Sequence, residues 1–231
     1  MLVANAIRRL EIAPRSPISA SSVATDKNSP PSQPTRILRR STSKRTFKHL
    51  HEIAEAIREI ARLPARDEAL HCIMGGNFHA WDLVPAILQL AAPSTIASLH
   101  VSTLGFNTRN AGELLRLLDE GKVGAVAFLC SHYFSKSCLA EFEMLRTGLS
   151  ERGQRIAAIR THAKVIAARL SDGRAIVVES SANLRSCNNI EQFTMTESID
   201  LYDFHARWID KGIEQCLASP EPPERPSARR R

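Results

Sequence analysis

The chain has 231 residues, 43% hydrophobic and 24% charged, enough for one globular domain with tails. Only 5% of it is aromatic, too few rings for a protein that stacks successive bases, and no apolar run approaches the ~18 residues of a membrane span. The net charge of +7 is uneven: residues 1–50 hold 10 Lys/Arg against 2 Asp/Glu, residues 51–218 hold 17 against 20, and residues 219–231 hold 4 against 2. The folded part is therefore no general polyanion binder, and any phosphate contact must come from a local site.

Residues 1–45 read as a disordered tail, because Ser16–Pro34 is rich in Ser, Pro and Thr and lacks apolar periodicity. The basic cluster Arg36, Arg39, Arg40, Lys44, Arg45 and Lys48 reads as a solvated arm, able to contact nucleic acid or an anionic membrane surface. Its Arg/Ser-rich, acid-poor start also has the composition of an organelle transit peptide, whereas the apolar core of a secretory signal is not seen. A domain is expected over residues 46–218 and a second disordered tail over 219–231. Five cysteines (Cys72, Cys130, Cys138, Cys187, Cys216) form an odd set without a C-x-x-C pair, which predicts reduced thiols in a cytoplasmic protein.

Within the domain, Leu50, Ile53, Ala54, Ile57, Ile60 and Ala61 recur at helical spacing and predict a lead helix. Strands are predicted at Leu70–Met74, Ile96–Phe106, Ala125–Cys130 and Arg155–Ile159, alternating with helices at Trp81–Ala92, Ala111–Glu120 and Leu139–Leu149. That alternation predicts an α/β fold, a mixed sheet flanked by helices on both faces. The rhythm then changes to a hairpin, Lys164–Leu170 with Arg174–Glu179, followed by a strand at Gln192–Thr196 and a helix at Leu201–Leu217. His71, Cys72, His79 and Asp82 fit no common zinc spacing, and Gly75-Gly76-Asn77 lacks the later glycine and lysine of a phosphate loop. Asn77, His79 and the Ser131-His132-Tyr133 stretch are candidates for the rim of a site at the strand ends.

If Asp172 and Gly173 form a two-residue turn, Leu170 faces Ala175, Lys164 faces Ser181 and His162 faces Asn183. All four polar side chains then fall on one side at the mouth of an apolar hairpin. An imidazole, an ammonium, a hydroxyl and a carboxamide together suit a phosphodiester, with His attacking phosphorus and Lys and Asn holding its oxygens.

His162-Ala-Lys164 followed by Ser180-Ser181-Ala-Asn183 and then Asn189-Ile-Glu191 resembles the signature of the phospholipase D superfamily. The resemblance implies a phospholipase D-like domain whose C-terminal β-hairpin carries the active site. It also implies His162 as nucleophile through a phosphohistidine, Lys164 and Asn183 as charge stabilisers, and Glu191 as the group that orients His162. Ser181 and Asn189 would bind substrate, and neither metal nor cofactor is implied. Two departures stand out: Arg169 occupies the position of the family's Asp, and the hairpin is four residues longer. Asp172 could be a displaced equivalent, although its position suits a turn. Single-motif members of the family dimerise to bring two histidines to one phosphorus, and His-x-Lys occurs here once. The expectation is a homodimeric, metal-independent phosphodiesterase acting on nucleic acid rather than phospholipid. The alternatives are a non-catalytic phosphate- or DNA-binding module and a lipid-modifying enzyme at a membrane surface.

Overall fold

The computed structural model describes residues 37–41, 45–48, 57, 60–74, 79–185 and 189–218. Its strands are β1 (Ile37–Ser41), β2 (Arg45–Lys48), β3 (Glu68–Met74), β4 (Ile96–Thr103), β5 (Val123–Ser131), β6 (Arg155–Ile159), β7 (Val165–Leu170), β8 (Ala175–Ser180) and β9 (Glu191–Glu197). Its helices are α1 (Leu83–Ala91), α2 (Thr108–Asp119), α3 (His132–Ser137), α4 (Leu139–Glu151) and α5 (Ile199–Ala218). The strands form one sheet in the order β2-β1-β3-β9-β8-β7-β4-β5-β6. Only β4, β5 and β6 run parallel; the other neighbouring pairs are antiparallel. The α/β class and the mixed sheet are as the sequence predicts.

Two apolar layers sandwich the sheet. On one face Leu99, Val101, Val126, Phe128, Ile166, Ala168, Ile176, Val178, Phe193 and Met195 pack in one cluster with Leu83, Val84, Ile87, Leu114 and Leu145 from α1, α2 and α4. On the other face Ala127 and Leu129 meet Ile209 and Ile213 of α5, and Val165, Ala167, Ala175 and Val177 meet its Tyr202. Tyr202, His205, Ile209 and Ile213 recur at three- and four-residue spacing, which places them on one helix face.

Several elements depart from the sequence reading for identifiable reasons. Residues 37–41 and 45 belong to strands, not to a tail, because β1 pairs with β3 and β2 with β1, which extends the backbone ladder beyond β3. The rest of the predicted tails lies outside the described residues, as do Leu50, Ile53 and Ala54 of the lead helix. The helix predicted from Trp81 begins instead as a 3-10 turn, Ala80–Asp82, before α1. Pro85 has no N–H to give the Trp81 carbonyl, so a regular α-helix cannot run through that turn. The short helix α3, directly after the strand end that carries Ser131, is an element the sequence does not predict; the Ser131 hydroxyl accepts from the Tyr133 amide (3.2 Å) and caps it.

The most consequential departure is the hairpin. Leu170 N donates to Arg174 O (2.8 Å) and Gly173 N to Leu170 O (3.1 Å), which closes a three-residue loop, Ser171-Asp172-Gly173. Gly173 takes φ +92°, a left-handed conformation that a side chain would strain by about 1 kcal/mol. Asp172 serves the turn: its carboxylate accepts from the Arg174 amide and guanidinium and the Ser94 hydroxyl, which hold it well below the usual carboxylate range. With one residue more in the loop, Ala168 faces Ile176 and Arg169 faces Ala175, not Val177 and Ile176.

Buried polar groups anchor α5. His100 lies 3.2 Å from Asp210 Oδ1 through Nε2 and 3.2 Å from the Tyr202 hydroxyl through Nδ1, while Arg155 Nη2 donates to the same Asp210 oxygen at 2.8 Å. The Trp208 indole can only donate, so its 2.9 Å bond to His205 Nδ1 leaves the ring proton on Nε2, which donates to Glu179 at 3.0 Å. Among the described residues no helix is long and apolar enough to cross a membrane.

Burial holds His100 below the ordinary histidine value, with Asp210 pulling the other way. The unfolded chain therefore binds the extra proton first, and the fold should lose stability as pH falls below about 6.5, levelling off below the folded-state pKa. The slope from this one site is at most about 1.4 kcal/mol per pH unit. Urea midpoints between pH 8 and 5 should show it, and His100→Gln should flatten it; an unchanged slope in the variant would reject the assignment.

Candidate functional site

The link from β6 to β7 sets up the site. These strands are separated in the sheet by β5 and β4, yet only residues 160–164 join them. Three strand spacings come to roughly 14 Å, and the six Cα–Cα steps from Ile159 to Val165 reach at most about 20–22 Å. The segment therefore has only a short path, over the carboxyl ends of β4 and β5, where open α/β sheets bind their ligands. Thr161 N donates to Ile159 O (2.9 Å), Ala163 N to Thr161 Oγ1 (3.2 Å) and Ser102 Oγ to Ala163 O (3.0 Å), which pin the crossing down. Arg160, Thr161, His162 and Lys164 are thereby held at this edge.

His162 is exposed, and its Nδ1 stands 3.0 Å from Lys164 Nζ, which also donates to the His162 carbonyl at 3.1 Å. An ammonium has no acceptor, so Nδ1 accepts and the neutral ring carries its proton on Nε2. Burial lowers the Lys164 pKa below the usual lysine value, and the Glu191 carboxylate pulls it back up. Glu191 in turn accepts from the Ser181 hydroxyl, whose oxygen accepts from the Gln192 amide at 2.9 Å. His162, Lys164, Glu191 and Ser181 are thus linked through two hydrogen-bonded pairs and one charge interaction.

The hairpin register changes how the remaining residues arrive. The Ser180 amide donates to Lys164 O (3.0 Å), so Lys164 stands opposite Ser180 and not opposite Ser181. A slip of one residue exchanges faces, so the side-by-side pairing of His162 with Asn183 and of Lys164 with Ser181 does not form. Ser181 reaches the site because the chain leaves the ladder after Ser180; its amide donates to Gln192 O (2.9 Å). Asn183 lies one residue before Leu184, which is tied to Thr103 Oγ1 and Trp81, and its side-chain oxygen is buried with no hydrogen-bond partner. Asn189 is exposed just ahead of β9. Arg169 lies five residues along β7 from Lys164, roughly 16 Å away, with its guanidinium 6.0 Å from the Tyr202 ring centre. The departure from the family's Asp therefore falls far from His162.

An open pocket of about 750 Å³ adjoins His162. Ser131, His132 and Tyr133 line it, as the sequence suggested for the rim, together with Lys136 and Arg160, which sequence reasoning missed. Neither cation stands in a recognisable motif; they meet only because α3 follows β5 and residue 160 follows β6 at the same sheet edge. Of the other rim candidates, Asn77 lies outside the described residues, and His79 Nδ1 is buried without a hydrogen-bond partner. His71 pairs with Thr194 at 3.1 Å, and burial pushes the Cys72 thiol up, so neither points to a metal. Cys72, Cys130, Cys138 and Cys216 are free thiols, and Cys187 lies outside the described residues.

No family model and no curated protein sequence matches the chain. Among the solved structures it is similar to are the following three. One is a phospholipase D family member, Nuc from Salmonella typhimurium, at 13% identity and a TM-score of 0.42, over 54% of this chain and 82% of that one. Another is polyphosphate kinase from Porphyromonas gingivalis, at 17% identity and 0.44, over 76% of this chain and 29% of that one. The third is TrmBL2, an archaeal chromatin protein, at 10% identity and 0.43, over 70% of this chain and 59% of that one. The chain thus spans under two thirds of the last two. At these identities and TM-scores, the chemistry of the site rests on its own residues.

The link between Lys164 and Glu191 is directly testable. Lys164, followed by NMR, should titrate below the usual lysine value, and Glu191→Gln should lower it further because the carboxylate favours the charged form. An unchanged Lys164 titration in the variant would show that the two groups do not interact.

Proposed function

We propose that the chain is a phosphodiesterase that attacks phosphorus with His162 and acts on nucleic acid in preference to phospholipid. The observation that carries this reading is the contact of the His162 imidazole and the Lys164 ammonium, 3.0 Å apart, at a strand-end edge that opens into a pocket. The resemblance of residues 162–191 to the phospholipase D signature supports it.

In this mechanism a phosphate oxygen competes for Lys164 Nζ and releases His162 Nδ1, so that the ring proton can move there and Nε2 is left with its lone pair. Nε2 then forms a bond to phosphorus while the bond to the leaving oxygen breaks, and a second imidazole gives that oxygen its proton. Water next attacks phosphorus, yields a proton to the second imidazole and displaces Nε2. Lys164 neutralises the charge on the phosphoryl oxygens, and the Asn183 carboxamide adds a donor there. Glu191 and Ser181 hold Lys164 and the substrate phosphate in place, with Asn189 at the outer edge. The second imidazole is His162 of another copy of this chain, across a twofold axis.

One observation favours a second reading. The Lys164 contact keeps the proton on His162 Nε2, a form that donates to a phosphate and cannot attack it. A non-catalytic phosphate- or DNA-binding module would use that form.

His162→Ala should lower kcat on an activated aryl phosphodiester by at least about 10³, and Lys164→Ala by about 10²–10³. Turnover should persist in EDTA, because an imidazole nitrogen and not a metal-bound hydroxide attacks. Near wild-type turnover by His162→Ala would leave the binding module as the better account. Sedimentation should show a dimer, and mixing wild type with excess His162→Ala subunits should silence wild-type activity through heterodimers. A fully active monomer would refute the shared site.

A further inference from the structure

The pocket beside His162 has a composition that the hydrolytic step alone does not require. Lys136 of α3 and Arg160 of the crossing segment both line it and both are exposed, although residues 51–218 carry more acidic than basic side chains. No acidic residue lines it, and Leu104 is its one aliphatic member. Tyr133, 74% exposed, presents its ring at the same place in a chain with few aromatic residues. The hydroxyls of Ser137 and Thr161 complete the wall. A volume of about 750 Å³ is far more than one phosphate fills and lies within the ~300–1,000 Å³ of pockets that enclose whole small molecules.

We propose that this pocket is a subsite for the nucleotide next to the cleaved bond of a single-stranded nucleic acid. Lys136 and Arg160 take the neighbouring phosphate, and the Tyr133 ring stacks on the unpaired base. His162 forms part of the pocket wall, so a strand whose phosphorus lies at His162 continues into it. Stacking on a side chain requires a base that is not already stacked in a duplex, which selects a single strand. A lipid is disfavoured because Leu104 is the one aliphatic side chain among the lining residues, so the wall holds no continuous aliphatic strip for an acyl chain. The inference rests on the phosphodiesterase reading for the position of the cleaved bond, but the binding itself does not depend on cleavage.

The test separates the two. A fluorescein-labelled single-stranded oligonucleotide is titrated into His162→Ala protein over a range of NaCl, and into the same protein carrying Lys136→Ala with Arg160→Ala, or Tyr133→Ala. The double charge removal should weaken binding at least tenfold and reduce the salt slope by about 0.7, the release expected for one single-strand phosphate. Tyr133→Ala should weaken binding with the salt slope kept. In an otherwise wild-type chain, the double variant should lose at least tenfold more kcat/KM on the oligonucleotide than on the aryl diester.

Unchanged affinity and slope, equal losses on both substrates, or no oligonucleotide binding by the parent protein would each overturn the subsite. So would lost binding to phosphatidylglycerol vesicles with oligonucleotide binding kept, which would assign the pocket to a lipid headgroup. If the wild type cuts no diester while the charge variants still lose oligonucleotide binding, the subsite stands and the hydrolytic reading falls.

Discussion

The arrangement depends on a chain-length constraint. Strands β6 and β7 lie three sheet positions apart and are joined by five residues, so the joining segment is confined to a short path across the sheet edge. A tight crossing is forced over the ends of the parallel strands, and the side chains along it are presented to the same space whatever their own preferences. Ser102 and Thr161 hold that course with hydrogen bonds to Ala163. The functional side chains thus sit on a loop whose path is set by the rigid sheet beneath it, a common way of combining exposure with positional precision.

Precision at this edge also needs the C-terminal strands in the middle of the sheet. Strands β7, β8 and β9 insert between β3 and β4, so Lys164, Ser180 and Glu191 come to neighbouring strand ends from three separate stretches of sequence. Helix α5 then covers the opposite face, buried along Tyr202, His205, Ile209 and Ile213. Two buried histidines, His205 on this helix and His100 on β4 beneath it, each have both ring nitrogens engaged, which gives the helix a fixed register on the sheet as well as an apolar seat.

Charge follows the same logic of local concentration. The part of the chain from 51 to 218 is slightly acidic, so a polyanion is not drawn to its surface at large. Lys136, Arg160 and Lys164 nevertheless stand along one sheet edge. A small net charge with a concentrated cationic edge favours a ligand that offers its negative charge at one place.

The class of fold, the hairpin, the buried faces of its strands and the chemical types at its mouth were all legible in the sequence. Periodicity and side-chain chemistry are local properties that survive without knowledge of the partner strand. The hairpin register was not legible, because Ser-Asp-Gly serves a two-residue or a three-residue loop, and only the Leu170–Arg174 closure tells them apart. That single residue put Ser180, and not Ser181, opposite Lys164 and so broke the expected pairing of His162 with Asn183. The strands at 37–41 and 45–48 were hidden by their basic composition, since what holds them is backbone pairing beside β3, which charge does not report. Lys136 and Arg160 were invisible as a pair for a related reason. Twenty-four residues separate them in the chain, and only the parallel pairing of β5 with β6 brings their strand ends side by side. Sequence determined which groups the protein owns, and the long-range strand order determined which of them meet.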